Sequence, residues 1–390
     1  TKIFHPFINM KEINLINIKG AEISWFAPLC DGDDDFLGNR NSSYKSDWKN
    51  TSEIVKTADN FGFRHVLCPS SYQVGQDTLS FIAGMAPLTK KINFLAAIRC
   101  GEIHPPMFAR TIATLDHMLK GRLTINIISS DLPGTQLSSS ERYLRSREVI
   151  KILKQAWTKD FIDFQGKYYK LKLSSKPVKT YQKDGPLLYF GGYSPDGIDL
   201  CAEYCDVYLM WPETENKLQV LMDGMRNKAS SYDREVQFGL RVHVIVRETE
   251  KEARAYADGL ISKLNLDLGT NIRNRSQDSN SLGVARQSQL REEADEKYYV
   301  EPNLWTGIGL ARSGCGAAIV GNPDQVVKKL ENYMEMGIRS FILSGYPHKQ
   351  ECELFAKHVL PRIKTISLPK VFGRIPKTTP NSPLGRGERE

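Results

Sequence analysis

Two side chains suited to binding an anion lie in one apolar segment, residues 238–246 (Phe-Gly-Leu-Arg-Val-His-Val-Ile-Val). If this segment is a β-strand, Arg241 and His243 share one face, while Leu240 and three valines share the other, because side chains alternate along a strand. Burying a guanidinium costs several kcal/mol unless an anion meets it. The pattern therefore predicts a protein that binds an anionic molecule in its interior. For His243 alone, a satisfied core histidine is the alternative.

Two further segments carry side chains that could act on such a ligand. An apolar run ending at Ser344 is followed by Gly-Tyr-Pro-His, which places Tyr346 and His348 directly after a predicted strand. A turn with an exposed histidine is the alternative interpretation. Residues 302–321 are rich in glycine, and Arg312 is their only ionised side chain. This arginine could move onto a bound anion, or it could be a solvated surface residue.

A third pattern, Gly191-Gly192-Tyr193-Ser194, lies between a predicted strand and a predicted helix. Glycines let backbone N–H groups approach a phosphate, and the N-terminus of a helix attracts negative charge. Gly-Gly-x-Ser alone is a weak signal, which its position at a strand-to-helix junction strengthens. The acidic turn at 31–35 (Asp-Gly-Asp-Asp-Asp) lacks the rest of the EF-hand pattern, so we interpret it as a solvated loop.

Composition excludes several classes of protein. The chain has 390 residues, 41% of them hydrophobic, and a formal net charge of +8. No apolar run approaches the ~20 residues of a membrane span, and the first twenty residues do not form a signal-peptide core. The basic residues are mixed with acids, which fits a small anionic substrate and gives no reason to expect nucleic acid. Seven scattered cysteines without zinc spacing indicate a reducing cytoplasm and no metal.

Short apolar runs alternate with helical stretches along the chain, and eight runs are predicted to be strands. Strands alternating with helices imply a parallel sheet, and eight such units indicate a closed (β/α)8 TIM barrel of the α/β class. An open doubly wound sheet is the alternative, but no Gly-x-Gly-x-x-Gly follows the first strand. In a barrel, the valine face of residues 238–246 suits the surrounding helices, so Arg241 and His243 point inward. The predicted strands are 23–29, 65–68, 92–99, 123–128, 187–190, 207–211, 238–246 and 341–344.

The predicted barrel spans residues 21–363 and follows an N-terminal extension of residues 1–20. Residues 161–173 predict a β-hairpin. The polar stretch 265–300, between strands seven and eight, predicts either a lid insertion or a disordered loop. Residues 364–390 are basic and rich in proline, and they predict an irregular arm that is either solvated or packed on a partner subunit.

Three long segments resemble the bacterial-luciferase-like flavin monooxygenases, and most closely the FMNH2-dependent alkanesulfonate monooxygenases. They are Phe238–Thr249 (FGLRVHVIVRET), Pro302–Gly321 and Phe341–His348 (FILSGYPH). Weaker similarities lie at Leu187–Ser194, Ala113–Arg122 and Glu141–Tyr143. The resemblance covers roughly residues 21–365.

This resemblance implies a luciferase-like barrel and a two-component reaction in the cytoplasm. A separate NAD(P)H-dependent FMN reductase would supply FMNH2, and the enzyme would use O2 to convert a small anionic alkanesulfonate to an aldehyde and sulfite. By position, the residues that match the family's active-site residues are Arg241, His243, Arg312, Tyr346 and His348. Those that match its flavin-binding positions are Asn126, Ser129, Tyr143, Gly191, Gly192, Tyr193 and Ser194. Barrels of this family associate as dimers or tetramers, so we expect a homo-oligomer.

Two places depart from the pattern of the sulfonate enzymes. Residues 69–77 (PSSYQVGQD) contain one extra residue and no cysteine near their end, and Ser130 stands where glycine is common. These differences bear on the substrate, so a sulfone or another organosulfur compound is an alternative. A deazaflavin-dependent dehydrogenase and a flavin-binding paralogue without activity are the alternative functions.

Overall fold

The structure is a computed structural model that describes residues 18–376 except 31, 41–45, 72–74, 133, 177–178, 265–266, 268–281 and 313. In this part of the chain the strands are β1 (Glu22–Phe26), β2 (Asp34–Phe36), β3 (Asn39–Arg40), β4 (His65–Cys68), β5 (Asn93–Arg99), β6 (Leu123–Ile128), β7 (Phe161–Gln165), β8 (Lys170–Ser174), β9 (Leu188–Phe190), β10 (Val207–Met210), β11 (Gln237–Val246), β12 (Tyr299–Glu301), β13 (Leu304–Trp305), β14 (Ala318–Gly321) and β15 (Ile338–Ser344). The helices are α1 (Trp48–Phe61), α2 (Thr78–Met85), α3 (Pro105–Met118), α4 (Ser139–Thr158), α5 (Pro195–Tyr204), α6 (Glu215–Ser230), α7 (Glu250–Ile261), α8 (Leu282–Glu292), α9 (Pro323–Met336), α10 (His348–His358) and α11 (Leu368–Val371).

Eight parallel strands close into a barrel. In order around it they are β1, β4, β5, β6, β9, β10, β11 and β15, and β15 pairs with β1. The predicted TIM barrel is confirmed, and each predicted strand overlaps one of the eight. The first strand ends at Phe26 rather than at residue 29, because Pro28 cannot donate a hydrogen bond to the sheet. The predicted hairpin at 161–173 is the antiparallel pair of β7 and β8.

The alternation of side chains along the strands produces two apolar layers. On β11, Leu240, Val242 and Val244 pack in the layer between the strands and the outer helices. Inside the barrel, a smaller cluster includes Leu95 and Tyr189. Arg241 and His243 lie on the inner face of β11, as predicted, and both line a cavity there.

Helix α11 closes the amino-terminal end of the barrel. Leu368 is fully buried in the interior cluster, and its backbone N–H donates to Glu22, the first residue of β1. The solvated alternative for the C-terminal arm is therefore wrong at Leu368 and Phe372, which are buried, and packing on a partner subunit stays a prediction. Apolar Leu368 and Phe372 seal the barrel against water, and this overrides the polar, proline-rich composition around them. Residues 377–390 lie outside the described part of the chain.

The insertion between β11 and β15 continues the sheet and covers the barrel. Strand β14 pairs with β11, β13 pairs with β14, and β12 pairs with β13. Helix α8 is anchored by Gln287, which donates to the carbonyl of Pro212 and accepts from the N–H of Gly316. Arg286 adds an ion pair with Glu213 at 3.0 Å. The described residues 282–301 are thus folded against the barrel, whereas most of 265–281 lies outside the described part. None of the described helices has the length and apolarity to cross a membrane.

Candidate active site

A cavity of about 370 Å³ opens at the carboxyl ends of the barrel strands. All five residues matched to active-site positions line it, although they come from three separate parts of the chain. These five are Arg241, His243, Arg312, Tyr346 and His348. A second cavity of about 370 Å³ adjoins the first and shares Ser70 and Ser71 with it. The two cavities together leave space for two molecules side by side.

Arg241 is a buried cation that no carboxylate neutralises within the described residues. Its guanidinium donates to the carbonyls of Val242 and Ile342, at 3.2 and 3.3 Å, and to the hydroxyl of Ser344 at 2.8 Å. It also lies 4.8 Å from the centre of the Phe26 ring. Burial lowers the pKa of Arg241 from its ordinary value, yet an arginine remains charged at any physiological pH. The uncompensated positive charge of Arg241 therefore favours the binding of an anion in the cavity.

Ser344 connects Arg241 to His243. The Ser344 hydroxyl lies 2.7 Å from Nδ1 of His243. Arg241 donates to this oxygen, so a hydroxyl proton directed to Nδ1 satisfies both contacts, and with this arrangement the ring proton of neutral His243 is assigned to Nε2. Burial, and next the charge of Arg241, hold the pKa of His243 well below 6.5. His243 is thus a neutral group in the cavity at pH 7.

Tyr346 lies between the two histidines and beneath Arg312. Its ring stacks on His243 at 5.4 Å and meets the edge of His348 at 4.9 Å. The Arg312 guanidinium lies 4.7 Å above the Tyr346 ring and 3.5 Å from the carboxylate of Asp34. Burial raises the pKa of Tyr346 above 10, although Arg312 opposes this, so the phenol keeps its proton at neutral pH.

Asp33 and Asp34 of the acidic turn belong to the site, and their interpretation as part of a solvated loop is wrong. Asp33 is buried and lies 2.8 Å from Nδ1 of His348, while Asp34 pairs with Arg312. The error has a physical reason. A run of aspartates is usually solvated, and the basic partners here lie 278 and 315 positions away in the chain, where local sequence carries no sign of them.

The residues matched to flavin-binding positions form two groups. Asn126 lies on β6 and lines the first cavity, and Ser129 follows β6 directly. The side-chain oxygen of each is buried without a hydrogen-bond partner in the described structure. Buried polar atoms are rarely left unpaired, so these oxygens fit a bound polar molecule. Across from them, the Tyr143 hydroxyl packs against Gly192, where an added Cβ would lie 3.5 Å away. Ser194 caps α5 by accepting the N–H of Gly197.

The other two members of the glycine segment have structural contacts. Gly191 packs against β10 so closely that a Cβ would lie 2.9 Å from the carbonyl oxygen of Leu209. The Tyr193 hydroxyl accepts the N–H of Trp211, and the Trp211 ring lines the first cavity. The sequence analysis missed Trp211, although it is the last residue of a predicted strand, where barrel enzymes place functional side chains.

Both departures from the sulfonate-enzyme pattern adjoin the second cavity. Residues 70, 71 and 75–77 line it, while 72–74 lie outside the described part. Arg99, which also lines it, donates to the hydroxyl of Ser130 and to the carbonyl of Asp131, and a glycine at position 130 would remove the first of these hydrogen bonds. Two cysteines from other parts of the chain, Cys30 and Cys315, line the first cavity. Burial raises the pKa of Cys315, which leaves it a thiol.

Gly345 connects β15 to Tyr346 where no side chain fits. An added Cβ would lie 2.5 Å from Cβ of Glu351, whose carboxylate holds Arg247 at 2.7 Å. We expect Gly345→Ala to lower the free energy of unfolding by about 2 kcal/mol, as overpacking does, in urea denaturation. Gly224→Ala in α6 is the matched control, because nothing lies within 4 Å of its Cβ position and alanine favours helix. It should raise stability by about 0.5–1 kcal/mol; equal stabilities for the two variants would contradict this account.

Comparison with known proteins identifies the class. The family profile described as luciferase-like monooxygenase matches residues 26–340, which is most of the chain. The chain belongs to the luciferase-like monooxygenase family, as the sequence resemblance indicated. Among curated proteins, it is 59% identical to the sulfoquinovose monooxygenase of Agrobacterium fabrum over 375 residues, covering 96% of this chain and 97% of that one. It is 50% identical to the sulfoquinovose monooxygenase of Novosphingobium aromaticivorans over 352 residues, covering 88% and 97%.

Solved structures agree on the fold. A long-chain alkane monooxygenase superposes with a TM-score of 0.72 at 18% identity, covering 95% of this chain and 97% of that one. A riboflavin lyase solved with modified FMN and riboflavin gives 0.75 at 15% identity, covering 95% and 100%. Neither sequence identity is high enough to indicate the substrate of this protein.

Proposed function

We propose that the protein is an FMNH2-dependent monooxygenase that cleaves the carbon–sulfur bond of a sulfonated sugar of the sulfoquinovose type and releases sulfite. The observation that carries the proposal is Arg241, a buried guanidinium that faces the cavity without a carboxylate partner in the described chain. The two curated relatives above, both named for sulfoquinovose, support this choice of substrate.

A sulfonate matches the charge of the cavity. It is anionic at any physiological pH and offers three acceptor oxygens, which suit the forked donors of an arginine. Arg241, on the barrel wall, would bind the sulfonate directly. Arg312, in the loop before β14, would leave its ion pair with Asp34 and bind the same group. The neutral His243 and the protonated Tyr346 add no second negative charge to repel it.

The polar lining favours a sugar over an alkyl chain. Ser70 and Ser71 line the same cavity as the arginines and carry hydroxyl groups. A sugar can pair with these groups, whereas an alkanesulfonate would cover them without replacing their hydrogen bonds to water, at about 1–3 kcal/mol for each group. This supports the sulfonated sugar over the simple alkanesulfonate that the sequence resemblance implied.

The chain offers residues that fit reduced FMN. Asn126 and Ser129 have buried oxygens available for it, and the Gly192–Ser194 segment with Tyr143 would hold its phosphate at the start of α5. When bound, the flavin supplies the activation of O2, while the protein supplies position and charge. We expect a separate NAD(P)H-dependent FMN reductase to deliver it. The homo-oligomer, a dimer or tetramer, stays a prediction.

The insertion has the position to exclude water. Helix α8 lies over the cavity wall, where Gly283 packs against the Trp211 ring and Gln287 ties the helix to two loops. Covering the site would protect the activated oxygen chemistry from water.

The experiment is sulfite release with a flavin reductase, NADH, FMN and a panel of sulfoquinovose, alkanesulfonates of increasing chain length, and a dialkyl sulfone. We expect O2-dependent sulfite from sulfoquinovose, with kcat/KM about 10²-fold or more above any alkanesulfonate, because unpaired polar groups penalise the wrong substrate. A higher kcat/KM on an alkanesulfonate would contradict the sugar assignment. Turnover of the sulfone without sulfite from any sulfonate would contradict the sulfonate assignment.

A further inference from the structure

His348 and Asp33 form a buried pair at the edge of the first cavity. Nδ1 of His348 lies 2.8 Å from Oδ1 of Asp33, and the backbone N–H of His348 donates to Oδ2. Both side chains are 2% exposed. The N-terminus of α10 begins at His348 and favours a negative charge on this carboxylate. Because an ionised carboxylate only accepts hydrogen bonds, the contact places a proton on Nδ1.

The described residues around His348 leave its other ring nitrogen unpaired. Nε2 is buried and has no hydrogen-bond partner in the described structure, and His348 lines the cavity. The ring is held by Phe26, which stacks on it at 5.6 Å, and by the Tyr346 ring at 4.9 Å. Trp25 fixes the backbone by donating to the His348 carbonyl at 3.0 Å. An unpaired buried nitrogen held this firmly indicates a partner that arrives with the substrate.

We propose that Asp33 is a positioning residue that keeps the His348 proton on Nδ1, so that Nε2 accepts a proton from the substrate carbon that bears sulfur. This proposal rests on the proposed function. The overall reaction is R–CH2–SO3⁻ + O2 + FMNH2 → R–CHO + SO3²⁻ + FMN + H2O + H⁺. One C–H and the C–S bond break, the carbonyl forms from one oxygen atom, and the other becomes water. The flavin and the substrate each give two electrons to O2.

The one proton released comes from the substrate carbon, and its electron pair enters the new carbonyl bond. His348 is better suited to take it than His243. Nδ1 of His243 is engaged by Ser344, and burial beside Arg241 holds the pKa of His243 well below 6.5. A group with so low a pKa is a weak proton acceptor at neutral pH.

Several charged or titratable groups surround His348 and bear on its pH response. Glu351, on the same helix, is occupied by Arg247. The groups on the other elements packed around the site are Asp33 and Asp34 from the acidic turn, Arg241 and His243 from β11, Arg312 from the loop before β14, and Tyr346 after β15.

The test is Asp33→Asn in the full chain with reductase, FMN and sulfoquinovose. The asparagine amide would donate to Nδ1 and move the ring proton to Nε2, which removes the acceptor. We expect kcat to fall about 10²–10³-fold, KM to change less than about twofold, and the acidic limb of the kcat–pH profile to disappear. The ¹⁵N spectrum of His348 should show the proton on Nδ1 in the wild type and on Nε2 in the variant. Asp35→Asn, a neighbouring exposed carboxylate, should retain the wild-type kcat and profile.

Two results would overturn the positioning role: a kcat for Asp33→Asn within about threefold of wild type, or a loss of kcat with the acidic limb unchanged. If Asp33→Asn does not fold, His348→Asn takes its place, since it keeps a donor for Asp33 but has no Nε2, and retained kcat would again overturn the proposal. If the proposed function itself were wrong, the experiment would give a different result. Wild-type enzyme would then release no sulfite from any sulfonate, while the ¹⁵N spectrum would still report the Asp33–His348 pair.

Discussion

Replacing Arg241 with methionine should nearly abolish sulfite release while leaving the fold as stable as the wild type or more stable. Removing one partner of a buried ion pair costs about 3–5 kcal/mol, so kcat/KM should fall roughly 10²–10³-fold. Stability should not fall, because in the free enzyme the charge has no carboxylate partner within the described structure, and Ser344 keeps its contact with His243. Replacing a desolvated charge by an apolar side chain is often neutral or stabilising.

Arg122→Met is the matched control for this prediction. Arg122 is also an arginine whose pKa is lowered by burial, but it donates to Ile92 and Thr89 at the opposite end of the barrel. Its loss should lower the unfolding midpoint in urea and leave kcat/KM of the folded enzyme unchanged. If Arg241→Met kept its activity, the sulfonate would not bind at Arg241; if it lost both activity and stability, Arg241 would be a structural residue.

Arg312→Ala should lower kcat/KM about 10²-fold with little change in the unfolding midpoint. The side chain lies at the edge of the cavity, where it contacts the Tyr346 ring and the Asp34 carboxylate. Its expected role is to move onto the substrate anion, which is a charge-assisted hydrogen bond of about 1.5–3 kcal/mol. Steady-state sulfite assays and thermal unfolding measure the two quantities.

The matched control is Arg254→Ala. Arg254 also lies over an aromatic ring, at 4.1 Å from the centre of Tyr299, and pairs with Glu250 at 2.7 Å, but it lies on α7 outside both cavities. Its replacement should leave kcat/KM unchanged. Equal activity of the Arg312 and Arg254 variants would remove Arg312 from the site.

The barrel and the positions of Arg241, His243, Tyr346 and His348 at its cavity could be predicted from the sequence, because the patterns that indicate them lie within short segments. The alternation of valine with Arg241 and His243 defines both the strand and its inner face, and Gly-Tyr-Pro-His after β15 places Tyr346 and His348 at the functional end. Eight such runs separated by helices then indicate a closed sheet. These patterns repeat every two residues in strands and every 3.6 residues in helices, so a short segment of the sequence is enough to show them.

The rest depends on contacts between distant parts of the chain. Asp33 and Asp34 looked solvated because their partners, His348 and Arg312, lie some three hundred residues later. Leu368 closes the amino-terminal end of the barrel and bonds to Glu22, which lies far from it in the sequence, so the residues around Leu368 do not reveal this role. The departure at residues 69–77 is of the same kind, because only the fold shows that residues 69–71 line the first cavity and residues 70, 71 and 75–77 line the second.

The most direct test of the account is a crystal structure of the enzyme with reduced FMN and sulfoquinovose, prepared without O2. The account predicts sulfonate oxygens about 2.7–3.2 Å from the guanidinium nitrogens of Arg241, with Arg312 turned from Asp34 toward the same group. It also predicts hydrogen bonds from the flavin to Asn126 and Ser129. A sulfonate bound away from Arg241, with this guanidinium still held only by Ser344 and backbone carbonyls, would contradict the central claim.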